Sequence, residues 1–295
     1  MSSILYEAYQ PKDREEVFRV LQASMPVELT MEWFHWKHEL NPFGASLAWI
    51  ARDEEGIVGC NFFMQYRLGL NGEERKALRS CESAVLPRGR RKGIFSNCVQ
   101  HAHKLIESGT DYATIIGTPN ASSLPGFLKM QWTQVPAFYY GIYPVVLGSY
   151  ARLSADPKEV YAALMQESIS NKQYVLKDEA YYQWRYSAIT GRDYRMAALA
   201  SSTNGCACIY KIREIKGLRA VVVLEISGTP SEQSQLLRSI CRKEHAWLVV
   251  NLCQAAYRGT PSYVLKKGYY DFIYYKPGVV INNWDMRLGD LEDIL

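Results

Sequence analysis

Val85-Leu86-Pro87-Arg88-Gly89-Arg90-Arg91-Lys92-Gly93-Ile94-Phe95-Ser96 decides how this chain is read. Upstream, Lys76 to Leu86 has the character of a strand; downstream, Ile94 to about Ser108 has the spacing of a helix that stops at Gly109. A loop in that position faces the first free amides and the positive end of the helix, and both favour a phosphate or pyrophosphate. Arg88, Arg90, Arg91 and Lys92 add cationic charge at the same point, and Gly93 lets a bulky anion approach the backbone closely. The competing reading is a solvated basic turn, since basic loops without a ligand are common.

Outward from this loop the chain alternates helices and strands. A helix begins near Pro11 with Val17, Val20 and Leu21 on one face, and an aromatic helix from about Thr30 carries Trp33, Trp36 and Leu40 before Asn41-Pro42-Phe43-Gly44 stops it. Strands are expected from Ser46 to Arg52, Ile57 to Leu68 and Lys76 to Leu86, with turns at Glu54-Glu55-Gly56 and Asn71-Gly72. After the Ile94 helix come a strand at Tyr112 to Gly117, a short helix at about Ser122 to Met130, and strand to about Leu147.

The second half repeats this order. Trp33-x-x-Trp36-Lys37-His38 is echoed by Tyr181-x-x-Trp184-Arg185-Tyr186, Gly56 by Gly205, and Leu128-Lys129-Met130-Gln131-Trp132 by Leu265-Lys266-Lys267-Gly268-Tyr269. The spacing between landmarks is shorter in the second half, as expected of two diverged copies of one α/β unit joined near Gly148 to Asp156. A length of 295 residues accommodates both copies.

Composition narrows the function classes. The formal net charge of +4 does not by itself point to nucleic acid or a membrane surface, and no aromatic ladder adjoins the Arg88 to Lys92 cluster, so a nucleic-acid partner is not expected. No apolar run approaches the ~18 residues of a membrane-spanning helix, and the opening Met1-Ser2-Ser3-Ile4-Leu5-Tyr6-Glu7 lacks the pattern of a signal peptide. The seven cysteines form no C-x-x-C pair, Cys206-x-Cys208 being the tightest spacing. The expectation is a protein of the reducing cytoplasm with no disulfide framework and no metal.

Two motifs carry a family resemblance. Arg90-x-x-Gly93-x-Phe95, in its Val85-x-Pro87-x-x-Arg90 context, resembles the pyrophosphate loop of the GNAT superfamily of acyl-CoA-dependent N-acyltransferases, which reads Gln/Arg-x-x-Gly-x-Gly/Ala. Asn120-x-x-Ser123-x-x-x-Phe127-x-x-x-x-Trp132 is similar to the family's later Asn-x-x-Ala-x-x-x-Tyr-x-x-x-Gly-Phe. The motifs cover residues 75 to 135, and the element order extends the match over about 1 to 148. The Trp33-x-x-Trp36-Lys37 and Asn41-Pro42-Phe43-Gly44 opening resembles a subgroup with two such domains in tandem.

The resemblance implies an α/β (α+β) fold of two GNAT-like domains, each a mixed, mainly antiparallel twisted sheet flanked by helices. Residues 1–148 would be the catalytic, acyl-CoA-binding domain, and 149–295 a degenerate copy completing the acceptor site. It further implies a splay between the fourth and fifth strands at a bulge. Pantetheine would enter there beside Val85 and Leu86, and Arg90, Arg91, Lys92, Gly93, Ile94 and Phe95 would hold the pyrophosphate. Asn120, Ser123 and Phe127 would complete the cofactor cleft, and acetyl-CoA or another acyl-CoA would be the co-substrate. The implied reaction is acyl transfer to a small-molecule primary amine. Analogy with tandem members suggests an amino sugar or another biosynthetic intermediate, as in polysaccharide assembly.

Three departures stand out. Phe95 replaces the usual Gly or Ala, Phe127 replaces a tyrosine that protonates the leaving thiolate, and the second copy's turn, Ile226-Ser227-Gly228-Thr229-Pro230-Ser231-Glu232, carries no arginine. Tyr139 is therefore the candidate proton donor and Tyr140 a candidate acceptor contact, both from the next strand. Glu82, on the strand expected to flank the thioester, is the candidate base. Trp33 and Trp36 are candidate acceptor walls, while His35 and His38 beside them read as packing. His101 and His103 face different directions on their helix and cannot share a metal, and Cys81 and Cys98 read as small hydrophobes. The alternative function is a non-catalytic relative that binds or scaffolds through the same cleft.

Overall fold

The computed structural model describes residues 3–26, 28–145, 148–166, 173–186, 192–200, 205–254, 263–275, 281 and 284–291. They form two compact units: Met1–Val135 with Asp271–Asn282, and Pro136–Tyr270 with Asn283–Leu295. The sequence reading set the junction between 148 and 149; the units divide between Val135 and Pro136, and a late stretch returns to the first.

The first unit opens with β1 (Leu5–Ala8) and α1 (Arg14–Ser24), whose Val17, Val20 and Leu21 are buried. α2 (Met31–His38) follows, capped by Thr30, whose Oγ1 accepts from the Trp33 amide at 3.1 Å. β2 (Leu47–Asp53), β3 (Gly56–Leu70) and β4 (Glu73–Val85) form an antiparallel meander. Its Asn71-Gly72 turn has both residues at positive φ, 53° and 83°, as a two-residue hairpin requires. α3 (Ile94–Glu107) crosses to β5 (Tyr112–Gly117), which pairs in parallel with β4. α4 (Leu124–Lys129) and the start of β6 (Thr133–Pro144) complete this stretch. Adjacent Phe62 and Phe63 on β3 enter opposite cores, one with Val17 and Phe34, the other with Val99 and Ile115, so both sheet faces are covered.

The second unit contains the rest of β6, then β7 (Leu153–Ser154), α5 (Pro157–Met165), β8 (Tyr174–Val175) and α6 (Glu179–Arg185). β9 (Arg195–Leu199), β10 (Ala207–Ile215), β11 (Leu218–Ile226), α7 (Pro230–Lys243) and β12 (Leu248–Gln254) follow. β13 (Tyr263–Tyr275) ends in the first unit.

The two sheets share one plan. The first runs β1-β2-β3-β4-β5-β13 and the second β7-β9-β10-β11-β12-β6, antiparallel except at β4–β5 and β11–β12. Each takes its last strand from the other half of the sequence. Ile273 and Tyr275 of β13 face Gly117 and Ile115, and Tyr140 and Tyr143 of β6 face Leu252 and Val249. The expected echo of Leu128–Trp132 in Leu265–Tyr269 fails. Leu128 and Lys129 end α4, whereas the later residues lie inside β13, because a short apolar-lysine pattern fits either element. Among the described residues no helix is long and apolar enough to cross a membrane.

Candidate active site

The site begins where β4 and β5 part. Their parallel pairing runs from Lys76 opposite Tyr112 to Ser80 opposite Gly117; β5 ends there, and β4 continues to Val85. On the other side of β4, Phe63 faces Ser80 and Asn61 faces Ser83, so Cys81 and Glu82 stand opposite Phe62 alone. That extra residue is a β-bulge, which bends the strand and re-aims its side chains. Past the bulge, the edge of β4 that faced β5 keeps its backbone groups unpaired by that strand.

The anion loop continues from this edge. One 3-10 turn covers Pro87–Gly89, and the chain enters α3 through Arg91 and Gly93, both left-handed with φ of 63° and 73°. No side chain caps α3 at Gly93, and the turn's first carbonyl bond is Asn97 N to Gly93 O at 3.0 Å. The amides of Ile94, Phe95 and Ser96 are therefore the open donors of the helix, with the positive end of its dipole behind them. Arg90, Arg91 and Lys92 are exposed around these donors. Arg88 is not part of the group: its guanidinium grips Asp53 with Nε–Oδ2 3.1 Å and Nη2–Oδ1 3.3 Å, which holds the Asp53 carboxyl below its ordinary range.

Across the gap, Asn120 organises the start of α4. Its Oδ1 accepts from the amides of Ser122 and Ser123 at 3.0 and 2.9 Å, which fixes Ser123 as the residue before the helix. Phe127 is buried, edge-on to Phe95 at 5.1 Å and to Trp132 at 4.6 Å. Phe95 is thus accommodated by turning its ring onto Phe127. Trp132 Nε1 donates to His103 Nε2 at 2.8 Å, and the His103 ring stacks on Tyr275 at 3.5 Å. Burial pushes the His103 pKa down to about 4, so it is a neutral core residue. Burial also pushes the Cys98 thiol up to about 12, consistent with its role as a small hydrophobe.

Glu82 is met by the end of α2. The Lys37 ammonium donates to Oε1, and His38 Nε2 lies 3.4 Å from Oε2. His38 Nδ1 is 3.0 Å from Ser46 Oγ, and its ring lies between Phe62 at 4.4 Å and Phe34 at 4.8 Å. The half-buried Trp33 completes the wall, 5.1 Å from the Lys37 ammonium. His38, Cys81 and Glu82 each present a ligand atom within 4.8 Å of the others, with the Lys37 ammonium already on the carboxylate. Trp36 is buried, and Tyr139 and Tyr140 lie on β6 in the second unit. Lys37 and His38 are the site residues that sequence reasoning passed over. The one signal for them was a lysine and a histidine directly after the two tryptophans of a short aromatic helix.

Residues 6–134 match the family model described as an acetyltransferase (GNAT) domain. No curated protein matches the sequence. Among solved structures, a conserved protein of unknown function from Enterococcus faecalis, described as a probable N-acyltransferase, superposes with a TM-score of 0.75 at 13% identity, covering 93% of this chain and 72% of that one. A GCN5-related N-acetyltransferase from Anabaena variabilis gives 0.72 at 9% identity over 92% and 72% of the two chains. Eis1 from Mycobacterium abscessus gives 0.62 at 13% identity over 93% and 72%. At these identities the likeness is one of fold.

Proposed function

We propose, from the match of residues 6–134 to a GNAT acetyltransferase domain, that the chain moves an acetyl or other acyl group from acyl-CoA to a small-molecule primary amine. The observation that carries this reading is the splay after Ser80 and Gly117, which leads directly from the Glu82 bulge to the uncapped N-terminus of α3. A thioester arm would lie along the free edge of β4 near Val85 and Leu86. Its pyrophosphate would sit on the first amides of α3, among Arg90, Arg91 and Lys92, with Asn120, Ser123 and the Phe95–Phe127 pair on the opposite wall. The amine nitrogen attacks the thioester carbonyl, the C–S bond breaks, and CoA leaves as the thiol or thiolate.

Glu82 would take the proton lost by the amine, while Lys37 and His38 hold its carboxylate in place. An amide near Val85 would receive the developing oxyanion. Phe127 offers no proton, so the thiolate leaves unprotonated, and the half-buried Trp33 would bound the acceptor. An amino sugar or a similar biosynthetic amine is the acceptor class favoured by the tandem resemblance, with action in the cytoplasm.

A second reading, a CoA-binding protein without turnover, is favoured by the occupation of Glu82 by Lys37 and His38 and by the sealed Phe127 ring. Calorimetry with acetyl-CoA, followed by thiol release against a panel of amines, separates the two. Binding with amine-dependent release supports transfer; binding without release supports the second reading; no binding removes both.

A further inference from the structure

The second unit carries a copy of the Glu82 arrangement. On β10 and β11, Tyr210 faces Val223 and Ile209 faces Glu225, so Leu224 is an extra, bulged residue, and Cys208 then faces Ile226. On β3 and β4, Phe63 faces Ser80 and Asn61 faces Ser83 around the Cys81–Glu82 bulge. Aligning the strands on these flanking pairs places Glu225 where Glu82 stands. The helices agree. Asp178 caps α6 by accepting from the Tyr181 amide at 2.8 Å, as Thr30 caps α2, and Tyr186 then falls at the position of His38. Tyr186 Oη donates to Glu225 Oε1 at 2.8 Å, as His38 approaches Glu82.

The two carboxylates differ in what covers them. The Glu82 side chain keeps 12% of its surface, and Glu225 keeps none. Lys177 Nζ donates to both Glu225 oxygens at 2.7 and 2.8 Å, and the remaining side is closed by residues 285–291 near the C-terminus. Gly289 lies so close that a Cβ there would stand 2.1 Å from both Glu225 Oε1 and Tyr186 Oη. Arg185 donates to the carbonyls of Gly289 and Leu291 at 3.1 and 3.2 Å, and Lys177 pairs with Asp290 at 2.6 Å. Arg287 donates to the Ile226 carbonyl at 2.7 Å, and the Asp285 amide donates to the Gln173 carbonyl at 2.7 Å.

We propose that the second unit retains a ligand site at Glu225, built like the one at Glu82, and that the chain's own segment Asp285–Leu291 is its ligand. The contacts are those of a bound peptide: a guanidinium on two main-chain carbonyls, an ammonium on one acidic side chain, and a glycine at the tightest point. Charge agrees as well. The site's Lys177, Arg185 and Glu225 leave one positive charge, and the segment's Asp285, Arg287 and Asp290 leave one negative charge. The ligand class is therefore an acidic peptide with glycine before an aspartate. Because both the framework and the carboxylate persist, the second copy is closed by filling and not by loss of its site.

The test uses the full chain with Gly289→Val, which leaves the segment no room. Hydrogen exchange across residues 284–291 should rise at least tenfold while β10 and β11 keep their protection. A blocked synthetic peptide of residues 284–291 should then bind the variant in calorimetry and not the parent chain, and the same peptide with Asp290→Asn should bind at least tenfold more weakly. The proposal is overturned if β10 and β11 lose protection together with the segment, if the peptide does not bind, or if the aspartate makes no difference. Should Gly289→Val fail to fold, Asp290→Asn in the full chain decides: faster exchange confined to the segment supports a ligand, and faster exchange shared with β10 and β11 overturns it.

Discussion

Glu82 and Glu225 stand on corresponding bulged strands, each met by a residue at the end of an aromatic helix, and the units around them have been finished in opposite ways. In the first, the carboxylate keeps part of its surface and α3 starts at an uncapped Gly93. In the second, Lys177 and the C-terminal segment cover the carboxylate. There α7 is closed by its own anion: Thr229 caps the Glu232 amide, and Glu232 Oε2 accepts from the Thr229 amide at 2.9 Å. An open helix end and an open carboxylate are what a charged ligand needs. Where the chain fills both from within, the framework survives and the opportunity for a ligand goes.

The largest effect is expected from separating the units. Ile273 and Tyr275 of β13 pack with Phe63, Leu78 and Ile115, and Tyr275 Oη donates to Glu107 at 2.5 Å, so the first unit is not complete without them. Residues 1–148 expressed alone should show no cooperative thermal transition, and co-expression with 149–295 should restore it. A cooperative, active 1–148 fragment would mean that β13 is dispensable. Binding of acetyl-CoA by the intact chain should saturate at one equivalent, since only α3 begins uncapped among the two corresponding helices.

Paired carboxylate variants come next. Glu82→Gln should lower turnover about 100-fold or more, as loss of a general base does, and should also lower the melting temperature, because the buried Lys37 loses that carboxylate. Glu225→Gln should spare turnover and lower the melting temperature, because the buried Lys177 then keeps only Asp290 as a carboxylate partner. Equal effects on turnover from both would dissolve the contrast between the units. Gly93→Val should weaken acetyl-CoA binding by tenfold or more, close to ~1.4 kcal/mol. A Cβ there meets only Asn97 Nδ2 at 3.5 Å, so the loss comes from the positive φ and from the anion's closest approach.

How much of this was legible depends on the range of each signal. The loop at Gly93, the Asn71-Gly72 hairpin and the Tyr112–Gly117 strand are local, and the structure has them where spacing and turn chemistry put them. The duplication was visible in the aromatic helices, since Trp33 and Tyr181 occupy matching cap-plus-three positions. Lys37 and His38 were not legible as site residues, because their burial depends on Glu82, which is remote in sequence and brought near only by the sheet. The crossing of β6 and β13 between units was also hidden. Pairing Ile273 with Gly117 leaves no local mark on either strand.

His103 and Lys211 mark pH behaviour of the same sign in the two units, in different windows, since burial lowers both pKa values. The His103 pKa lies near 4 in the fold, below its ordinary 6.5, so the unfolded chain binds a proton that the native one refuses. Stability from this group is whole above pH 6.5 and is lost as pH falls toward 4. His103→Phe should flatten that acid limb in melting experiments from pH 7 to 4, although it also removes the acceptor for Trp132 Nε1, so its neutral-pH midpoint should fall.

The smallest expected effect is a gain. The register that equates Phe63 with Tyr210 also equates Met64 with Lys211, both buried. No described carboxylate pairs with Lys211; its ammonium lies 4.8 Å from the Tyr194 ring, and burial, followed by the charges of Arg192, Arg213 and Arg185, pushes its pKa down to about 8. A buried cation in that state opposes folding. The opposition is greatest below pH 8, fades as pH rises, and ends near 10.5, where the unfolded lysine also loses its proton. Lys211→Met, which restores the first unit's residue, should raise the melting midpoint at pH 7 by roughly 3 °C, and the gain should shrink steadily between pH 8 and 10.5. A gain independent of pH would assign the effect to packing alone, and a loss would mean that Lys211 has a partner that this arrangement of charges does not include.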